Sequence, residues 1–295
     1  MTRWDIHRVP DMSGRTVLIT GANSGLGLRT AQALGRAGAH VVLAVRNQHK
    51  GDRAAASVPG DPEVRELDLT DLSSVRTFAD SWSGELAVLV NNAGVMFPPE
   101  GRTADGFELQ FGTNHLGHFA LTNLLLPHIT DRVVTVSSAL HRNVRGINWD
   151  NPNFEGAYDP QRAYGQSKLA NLLFTLELQR KLAAAGSPLR AMAAHPGYAA
   201  TNLQSRAGNA VLRRLMAVGN RVLAQSDRAG ALPTLFAATE DLPGNSYAGP
   251  SGPGEMRGGP TLVGRSAAAA DPAAAKRLWE LSEELTGATF PITAS

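Results

Sequence analysis

The chain has 295 residues, of which 43% are hydrophobic and 18% are charged, and its formal net charge is +2. This composition is typical of a globular protein with a substantial apolar core. Lysine and arginine form no extended cluster, so the sequence gives no specific support for nucleic-acid binding. The chain contains no cysteine, which excludes disulfides, thiolate metal sites and a cysteine nucleophile.

Neither end of the chain nor its interior carries a membrane signal. The N-terminal residues lack the apolar core of a signal peptide, and no apolar run reaches the roughly 18 to 20 residues of a membrane span. We therefore expect a soluble, cytoplasmic protein without a membrane anchor. Because no internal repeat or linker interrupts the chain, residues 1–295 are expected to form one domain.

The first predicted elements are a strand, a glycine-rich turn, a helix and a second strand. They span residues 15–20, Gly21–Gly27, 28–38 and 41–45. This order is typical of the start of a dinucleotide-binding βαβ unit, in which the glycines permit a sharp turn and close approach to a pyrophosphate. The helix N-terminus then offers free N–H groups to the phosphates. A glycine-rich turn without a ligand is the alternative.

The residue after the second strand indicates which nucleotide is bound. An acidic residue there would hold the ribose hydroxyls of NAD. This chain instead has Arg46 and Asn47, with no acidic residue before Asp52. A guanidinium group matches a phosphate monoester in charge and geometry. The sequence therefore predicts NADP(H) rather than NAD(H), and a solvated surface arginine is the alternative.

Three further predicted strands end in polar or small residues. Asp68 follows the first of them, Asn91–Gly94 the second, and Ser137 and Ser138 the third. Ligands of doubly wound sheets bind beyond the carboxyl ends of the strands, so these residues are candidates for a site. Asp68 is equally consistent with a turn residue.

A long helical pattern over residues 107–126 carries Asn114 among apolar residues. A buried asparagine side chain has to be hydrogen-bonded. Asn114 is therefore either a structural residue that bends the helix or part of a site.

Tyr164 and Lys168 lie four residues apart near the start of a helix that runs to about residue 185. Residues at this spacing lie on the same side of a helix. A lysine cation favours the phenolate and lowers the pKa of a tyrosine from its usual value of about 10. The pair is a candidate for proton transfer, although the same spacing also occurs on helices by chance.

The remainder of the chain supplies a sixth strand over 189–194, followed by a turn through Pro196, Gly197 and Thr201. Residues 202–226 have an amphipathic pattern, which fits either a helix packed on the core or an apolar lid over a substrate. The glycine- and proline-rich residues 243–260 are predicted to be a loop, and a last helix is predicted over 276–285.

In this order, the motifs resemble those of the short-chain dehydrogenase/reductase family, and within it the retinol dehydrogenase and protochlorophyllide reductase branch. The matched residues are Thr20, Gly21, Gly25, Gly27, Asp68, Asn91–Gly94, Asn114, Ser138, Tyr164, Lys168, Pro196, Gly197 and Thr201. The resemblance implies an α/β fold of Rossmann type: a doubly wound parallel sheet of about seven strands with helices on both faces.

The resemblance also implies a role for each matched residue. Tyr164 would protonate the alkoxide during carbonyl reduction, Ser138 would hydrogen-bond the carbonyl oxygen, Lys168 would lower the pKa of Tyr164, and Asn114 would support a water-linked proton path. The implied cofactor-binding residues are Gly21, Asn23, Ser24, Gly25, Leu26, Gly27, Arg46, Asp68, Leu69, Asn92, Ala93, Gly94, Tyr164, Lys168, Pro196, Gly197 and Thr201. The histidines lack the spacing of metal ligands, so no metal is expected.

The implied function is an NADP(H)-dependent interconversion of a carbonyl and an alcohol on a fairly apolar small molecule. Reduction of a carbon–carbon double bond is the alternative, although the protochlorophyllide branch depends on cysteines and this chain has none. A non-catalytic NADP(H) sensor is a third hypothesis. Family members often pair through two long helices, so a homodimer or homotetramer is expected.

Overall fold

A central sheet of eight strands organises the part of the chain that the computed structural model describes, residues 4–197 and 226–292. The strands are β1 (Thr16–Thr20), β2 (His40–Val45), β3 (Glu63–Glu66), β4 (Leu86–Asn91), β5 (Ile129–Val136), β6 (Arg190–Ala194), β7 (Tyr247–Pro250) and β8 (Pro260–Leu262). Their order across the sheet is β3-β2-β1-β4-β5-β6-β7-β8. All neighbours are parallel except β7 and β8, which are antiparallel.

Helices cover both faces of this sheet. They are α1 (Gly25–Arg36), α2 (Gln48–Ala55), α3 (Leu72–Asp80), α4 (Leu109–Phe111), α5 (Gly117–Leu125), α6 (Pro160–Ala184), α7 (Asp227–Gly230), α8 (Leu232–Thr239) and α9 (Pro272–Thr286). One apolar cluster joins α3, α5, α6 and α9 to the sheet, with Phe119 and Trp279 among its members. A second cluster, which includes Leu34 and Leu235, joins α1 and α8 to the opposite face. The predicted doubly wound α/β fold is confirmed.

The central strands form because their residues are apolar on both sides. Every residue of β4 is buried, as expected for a parallel strand that is covered by helices on both faces. The strand order reverses between β1 and β4. In doubly wound sheets, a ligand crevice opens at the carboxyl ends of the strands beside such a reversal.

Two segments differ from the prediction. The expected loop over 243–260 contains β7, which pairs with Ala193 and Ala194 of β6. Its glycine and proline content predicted a loop. The strand forms because β6 offers a pairing edge, which no local pattern indicates. In addition, the expected continuous helix over 107–126 is interrupted by a π-helical turn, Gly112–Leu116, between α4 and α5.

The sheet has one more strand than the approximately seven expected, since the antiparallel β8 adds an edge. Thr201 and the predicted lid over 202–226 lie outside the described residues, apart from Ser226, whose side chain caps α7. The assignment of residues 1–295 to a single domain stays a prediction. Within residues 4–197 and 226–292, no helix has both the length and the apolar character needed to cross a membrane.

Candidate active site

The turn from β1 into α1 leaves the helix N-terminus open to a ligand. Gly21 and Gly25 both have positive φ, +67° and +55°, which favours glycine at these two positions. Ser24 is the N-cap residue of α1, yet its side chain makes no capping hydrogen bond. A Cβ added at Gly25 would have no atom within 4 Å. The free N–H groups of the first helical turn therefore face open space, as anion binding requires.

Thr20, the last residue of β1, joins this turn to the loop after β4. Its hydroxyl oxygen accepts the backbone N–H groups of Asn92 and Ala93, each at 2.9 Å. The Asn92 side chain donates in return to the Thr20 carbonyl at 2.8 Å. A Cβ at Gly27 would lie 2.5 Å from Asn92 Nδ2, so glycine is needed where α1 packs on this loop. The predicted residues Gly21–Gly27 and Asn92–Gly94 therefore form one unit.

The Thr20 hydroxyl still has one proton to donate, and His118 on α5 accepts it. The Thr20 Oγ1 and His118 Nε2 atoms are 2.8 Å apart, and His118 Nδ1 lies 3.1 Å from the Asn114 carbonyl oxygen. Because a carbonyl only accepts, Nδ1 carries the proton and Nε2 is the acceptor. Burial lowers the pKa of His118 to about 4, which is consistent with a neutral ring. The sequence motif contained Thr20 but gave no reason to connect it with His118.

Ser138, Tyr164 and Lys168 come together beyond the carboxyl end of β5. Ser138 follows the strand and caps the 3-10 turn Ala139–Asn143. Lys168 Nζ donates to the carbonyl of Val136 at 3.0 Å and lies 5.7 Å from the centre of the Tyr164 ring. The tyrosine and the lysine thus share one face of α6, as their spacing predicts. Neighbouring Ser137 binds the Lys168 carbonyl at 2.8 Å, so it has a backbone partner.

Burial dominates the ionisation of this pair. It raises the pKa of Tyr164 to about 12, although a hydrogen bond with the Ser138 side chain acts in the opposite direction. Burial also lowers the pKa of Lys168 to about 8. The net lowering of the Tyr164 pKa that the sequence predicts is therefore wrong, because desolvation of the buried phenolate is the largest effect on this group.

We expect Lys168→Met to stabilise the protein near neutral pH while it abolishes function. The lysine side chain is 4% exposed, and its low pKa, about 8 against 10.5, corresponds to a penalty on the order of 3 kcal/mol. The Val136 carbonyl keeps its hydrogen bond from Asn171. Replacing the buried charge should therefore raise the free energy of unfolding by about 1 to 3 kcal/mol, measured by urea denaturation.

The stability advantage of Lys168→Met over the wild type should decrease as the pH rises from 8 to 10.5. Below pH 8 both the folded and the unfolded state bind the Lys168 proton, so the wild type pays the whole penalty. Between pH 8 and 10.5 only the unfolded state keeps it, so the stability of the wild type rises relative to the variant. Lys276→Met, at an exposed position of α9, is the matched control. A stability gain that is equal for both variants, or independent of pH, would contradict the expectation.

Asn114 lies in the π-helical turn, a distortion that often marks functional positions. Its Oδ1 accepts the N–H of Val95 at 2.8 Å, and its Nδ2 donates to the Val95 carbonyl at 3.0 Å and to Ser167 Oγ at 2.9 Å. A Cβ at Gly94 would meet both Asn114 Oδ1, at 3.0 Å, and Lys168 Nζ, at 3.5 Å. Asn114 therefore fixes the loop after β4 and lies close to Lys168.

Of the residues predicted for the adenine end, Arg46 has a free side chain in the described part of the chain, whereas the side chains of Asp68 and Leu69 are engaged within the protein. Arg46 directly follows β2, and its side chain is exposed and has no hydrogen-bond or ion-pair partner among residues 4–197 and 226–292. Asp68 Oδ1 accepts from the backbone and the hydroxyl of Thr70, at 2.9 and 2.7 Å, so Asp68 forms the turn that was its alternative interpretation. The Leu69 side chain packs in the core, which leaves only its backbone for a ligand.

The turn after β6 holds the remaining predicted residues. Pro196 and Gly197 are half-buried, and Gly197 has a φ of +69°. The half-buried Asn23 and Leu26 lie in the α1 turn. Within the described ranges, no three histidine, aspartate or glutamate side chains are grouped so that they could hold a metal ion.

The residues present fit a dinucleotide. The open, positively polarised end of α1 suits a pyrophosphate, and the pairing of β1 with β4 brings the glycine turn next to Asn92–Gly94. Lys168 and Tyr164 lie at the end of the neighbouring strand β5. These three strands span the point where the strand order reverses, where dinucleotides bind across the sheet.

Comparison with known proteins identifies the family. Residues 15–212 match the family model of short chain dehydrogenases. The chain belongs to the short-chain dehydrogenase/reductase family. It is 38% identical to retinol dehydrogenase 14 of Mus musculus, over 94% of this chain and 87% of that protein. It is equally identical to the short-chain dehydrogenase/reductase prx1 of Penicillium roqueforti, over 94% of this chain and 86% of the relative.

A solved structure of an uncharacterised protein from Mycobacterium paratuberculosis is also similar. It has 54% sequence identity and a TM-score of 0.87, with 98% of this chain and all of the other covered. The chain is therefore an oxidoreductase of the short-chain dehydrogenase/reductase family, in the branch that contains the retinol dehydrogenases.

Proposed function

We propose that this short-chain dehydrogenase/reductase uses NADP(H) to interconvert a carbonyl and an alcohol on a fairly apolar small molecule. The observation that carries the proposal is the convergence of Ser138, Tyr164 and Lys168 beyond the carboxyl end of β5. There the buried phenol of Tyr164 and the buried amine of Lys168 lie beside the half-buried hydroxyl of Ser138. Gly94 adjoins the same amine, and the Asn114 side chain lies beside Gly94.

In the reducing direction, Tyr164 donates its proton to the oxygen of the former carbonyl. Ser138 donates a hydrogen bond to the same oxygen and thereby stabilises its developing negative charge. Lys168, with a pKa of about 8, can hold or release a proton near neutral pH and assists Tyr164. A bound nicotinamide would supply the hydride.

Four groups of residues would hold the dinucleotide. The turn Gly21–Gly27 and the N-terminus of α1 would bind the pyrophosphate. Arg46 would bind the 2′-phosphate that distinguishes NADP(H), because its guanidinium group is exposed and has no protein partner in the described part of the chain. Residues Asn92–Gly94, together with Asp68 and the backbone of Leu69, would hold the adenosine half. Pro196 and Gly197 would contact the nicotinamide end, and so would Thr201, which lies outside the described residues.

The choice of an apolar substrate has two supports. The named relatives include retinol dehydrogenases, and retinol is an apolar alcohol. On the protein side, the Phe97 ring packs edge-on against Tyr164 with 5.3 Å between the ring centres. Phe97 is only half-buried, so it can contribute an apolar wall beside the proton donor. The location in the cytoplasm and the pairing into a homodimer or homotetramer are proposed on the sequence grounds given above.

The function is tested by titrating the purified protein with NADPH and NADH and then assaying apolar aldehydes and ketones for oxidation of the bound nucleotide. We expect tighter binding of NADPH and turnover of at least one apolar carbonyl. Failure to bind either nucleotide would contradict the proposal. Binding without turnover of any carbonyl or alcohol would instead favour a non-catalytic sensor.

A further inference from the structure

His195, the first residue after β6, has no role in the proposed mechanism, and its ring has two hydrogen-bond partners. Its side chain is fully buried, and its Nε2 lies 3.0 Å from Glu255 Oε2. Its Nδ1 accepts the backbone N–H of Gly197 at 3.2 Å. The imidazole therefore connects a glutamate of the β7–β8 loop to the turn at the proposed nicotinamide end.

These partners fix the tautomer of the ring. Because Nδ1 accepts the Gly197 N–H, the proton is on Nε2, which donates to the Glu255 carboxylate. Burial lowers the pKa of His195 to about 4 even though Glu255 acts in the opposite direction, so the ring is neutral near neutral pH. The other neutral tautomer would lose both hydrogen bonds. The carboxylate thus selects the form of the ring that holds Gly197.

The same carboxylate binds a second segment of the site. Arg142 donates from Nη1 to Oε2 and from Nη2 to Oε1 of Glu255, each at 3.1 Å. This two-pronged geometry fixes orientation as well as distance. Arg142 belongs to the 3-10 turn Ala139–Asn143 that Ser138 caps. One carboxylate therefore links the turn after Ser138 with the turn after β6.

The loop is shaped to present this carboxylate. Glu255 has a φ of +56°, a conformation that side chains other than glycine rarely adopt and that points to a functional constraint. The loop is closed at its base by a hydrogen bond from Ser251 N to Gly259 O of 2.8 Å. A Cβ at Gly249 would collide with the His195 ring, so glycine in β7 makes room for the imidazole beside the loop.

We propose that Glu255 is a positioning residue, which fixes the Pro196–Gly197 turn through His195 and the Ser138 segment through Arg142. The inference rests on the proposed NADP(H)-dependent function. Without the carboxylate, the imidazole is free to change tautomer or rotate, and Gly197 loses its restraint. The residues proposed for the adenine end, Arg46, Asp68 and Asn92–Gly94, have no hydrogen bond to Glu255, His195 or Arg142 within the described ranges, so this end should keep its geometry.

The test compares two ligands on the full-length protein. NADPH occupies both ends of the proposed site, whereas adenosine 2′,5′-bisphosphate has the adenine end and the 2′-phosphate but no nicotinamide. For Glu255→Gln we expect the dissociation constant of NADPH to rise about tenfold, as for loss of one hydrogen bond to a charged group. The dissociation constant of the bisphosphate should change less than about twofold. Glu280→Gln, an exposed glutamate of α9 that is 62% exposed, is the matched control and should alter neither.

Glu255→Gly provides a second variant that also removes the carboxylate but suits the positive φ. It should fold and should lose NADPH affinity as Glu255→Gln does. Unchanged NADPH binding in both variants would overturn the positioning role alone. Parallel loss of both ligands would overturn it in favour of a general structural role. A wild-type protein that binds neither ligand would refute the proposed function itself, and the inference with it.

Discussion

Tyr164→Phe is expected to lower kcat for carbonyl reduction by about 10² to 10⁴-fold, the usual contribution of a positioned general acid. The substitution removes only the hydroxyl from a side chain that is 7% exposed. The ring keeps its edge-on contact with Phe97, so the fold should be maintained. The dissociation constant of NADPH should change less than about tenfold, because at most one neutral hydrogen bond is lost.

Tyr158→Phe is the matched control for this experiment. The Tyr158 hydroxyl donates to the Pro98 carbonyl at 2.8 Å and accepts from Gln110 Nε2 at 3.1 Å, so it has structural partners. Burial raises its pKa to about 12, the same value as for Tyr164. If position and not pKa selects the acid, Tyr158→Phe should retain kcat within about tenfold. Equal losses in the two variants would contradict the assignment of Tyr164.

The second large effect is expected at the other end of the proposed site. Arg46→Ala should weaken NADPH binding by about 10- to 100-fold, the range for hydrogen bonds to a charged group. NADH binding should change less than about twofold, because NADH lacks the 2′-phosphate. Arg46 is exposed and has no protein partner in the described ranges, so stability should not change. Nicotinamide fluorescence measures both dissociation constants.

Arg36→Ala is the control for Arg46→Ala. Arg36 is also exposed, but it lies at the C-terminal end of α1, opposite the glycine turn. It should leave the binding of both nucleotides unchanged. If Arg46→Ala weakened the binding of NADPH and NADH equally, this arginine would contribute to nucleotide binding in general. The main support for NADP(H) over NAD(H) would then be lost.

The sequence by itself determined the elements that are specified locally. The glycines of the β1–α1 turn, the nearly continuous apolar run of β4, and the spacing of Tyr164 and Lys168 all predicted the structure that is found. These features follow from backbone conformation and from burial on both faces of a parallel sheet, which leave a pattern in neighbouring residues. The fold and the family were therefore predictable before any coordinates.

Only the tertiary structure decided the features that depend on distant residues. β7 is a strand because Ala193 and Ala194 pair with it, and no local pattern carries that information. The pKa of Tyr164 is set by burial, which the spacing of Lys168 could not reveal. The links from Thr20 to His118 and from Glu255 to His195 span 98 and 60 residues. Hydrogen bonds over such separations are fixed by packing. The sequence alone shows the four residues but gives no indication that they pair.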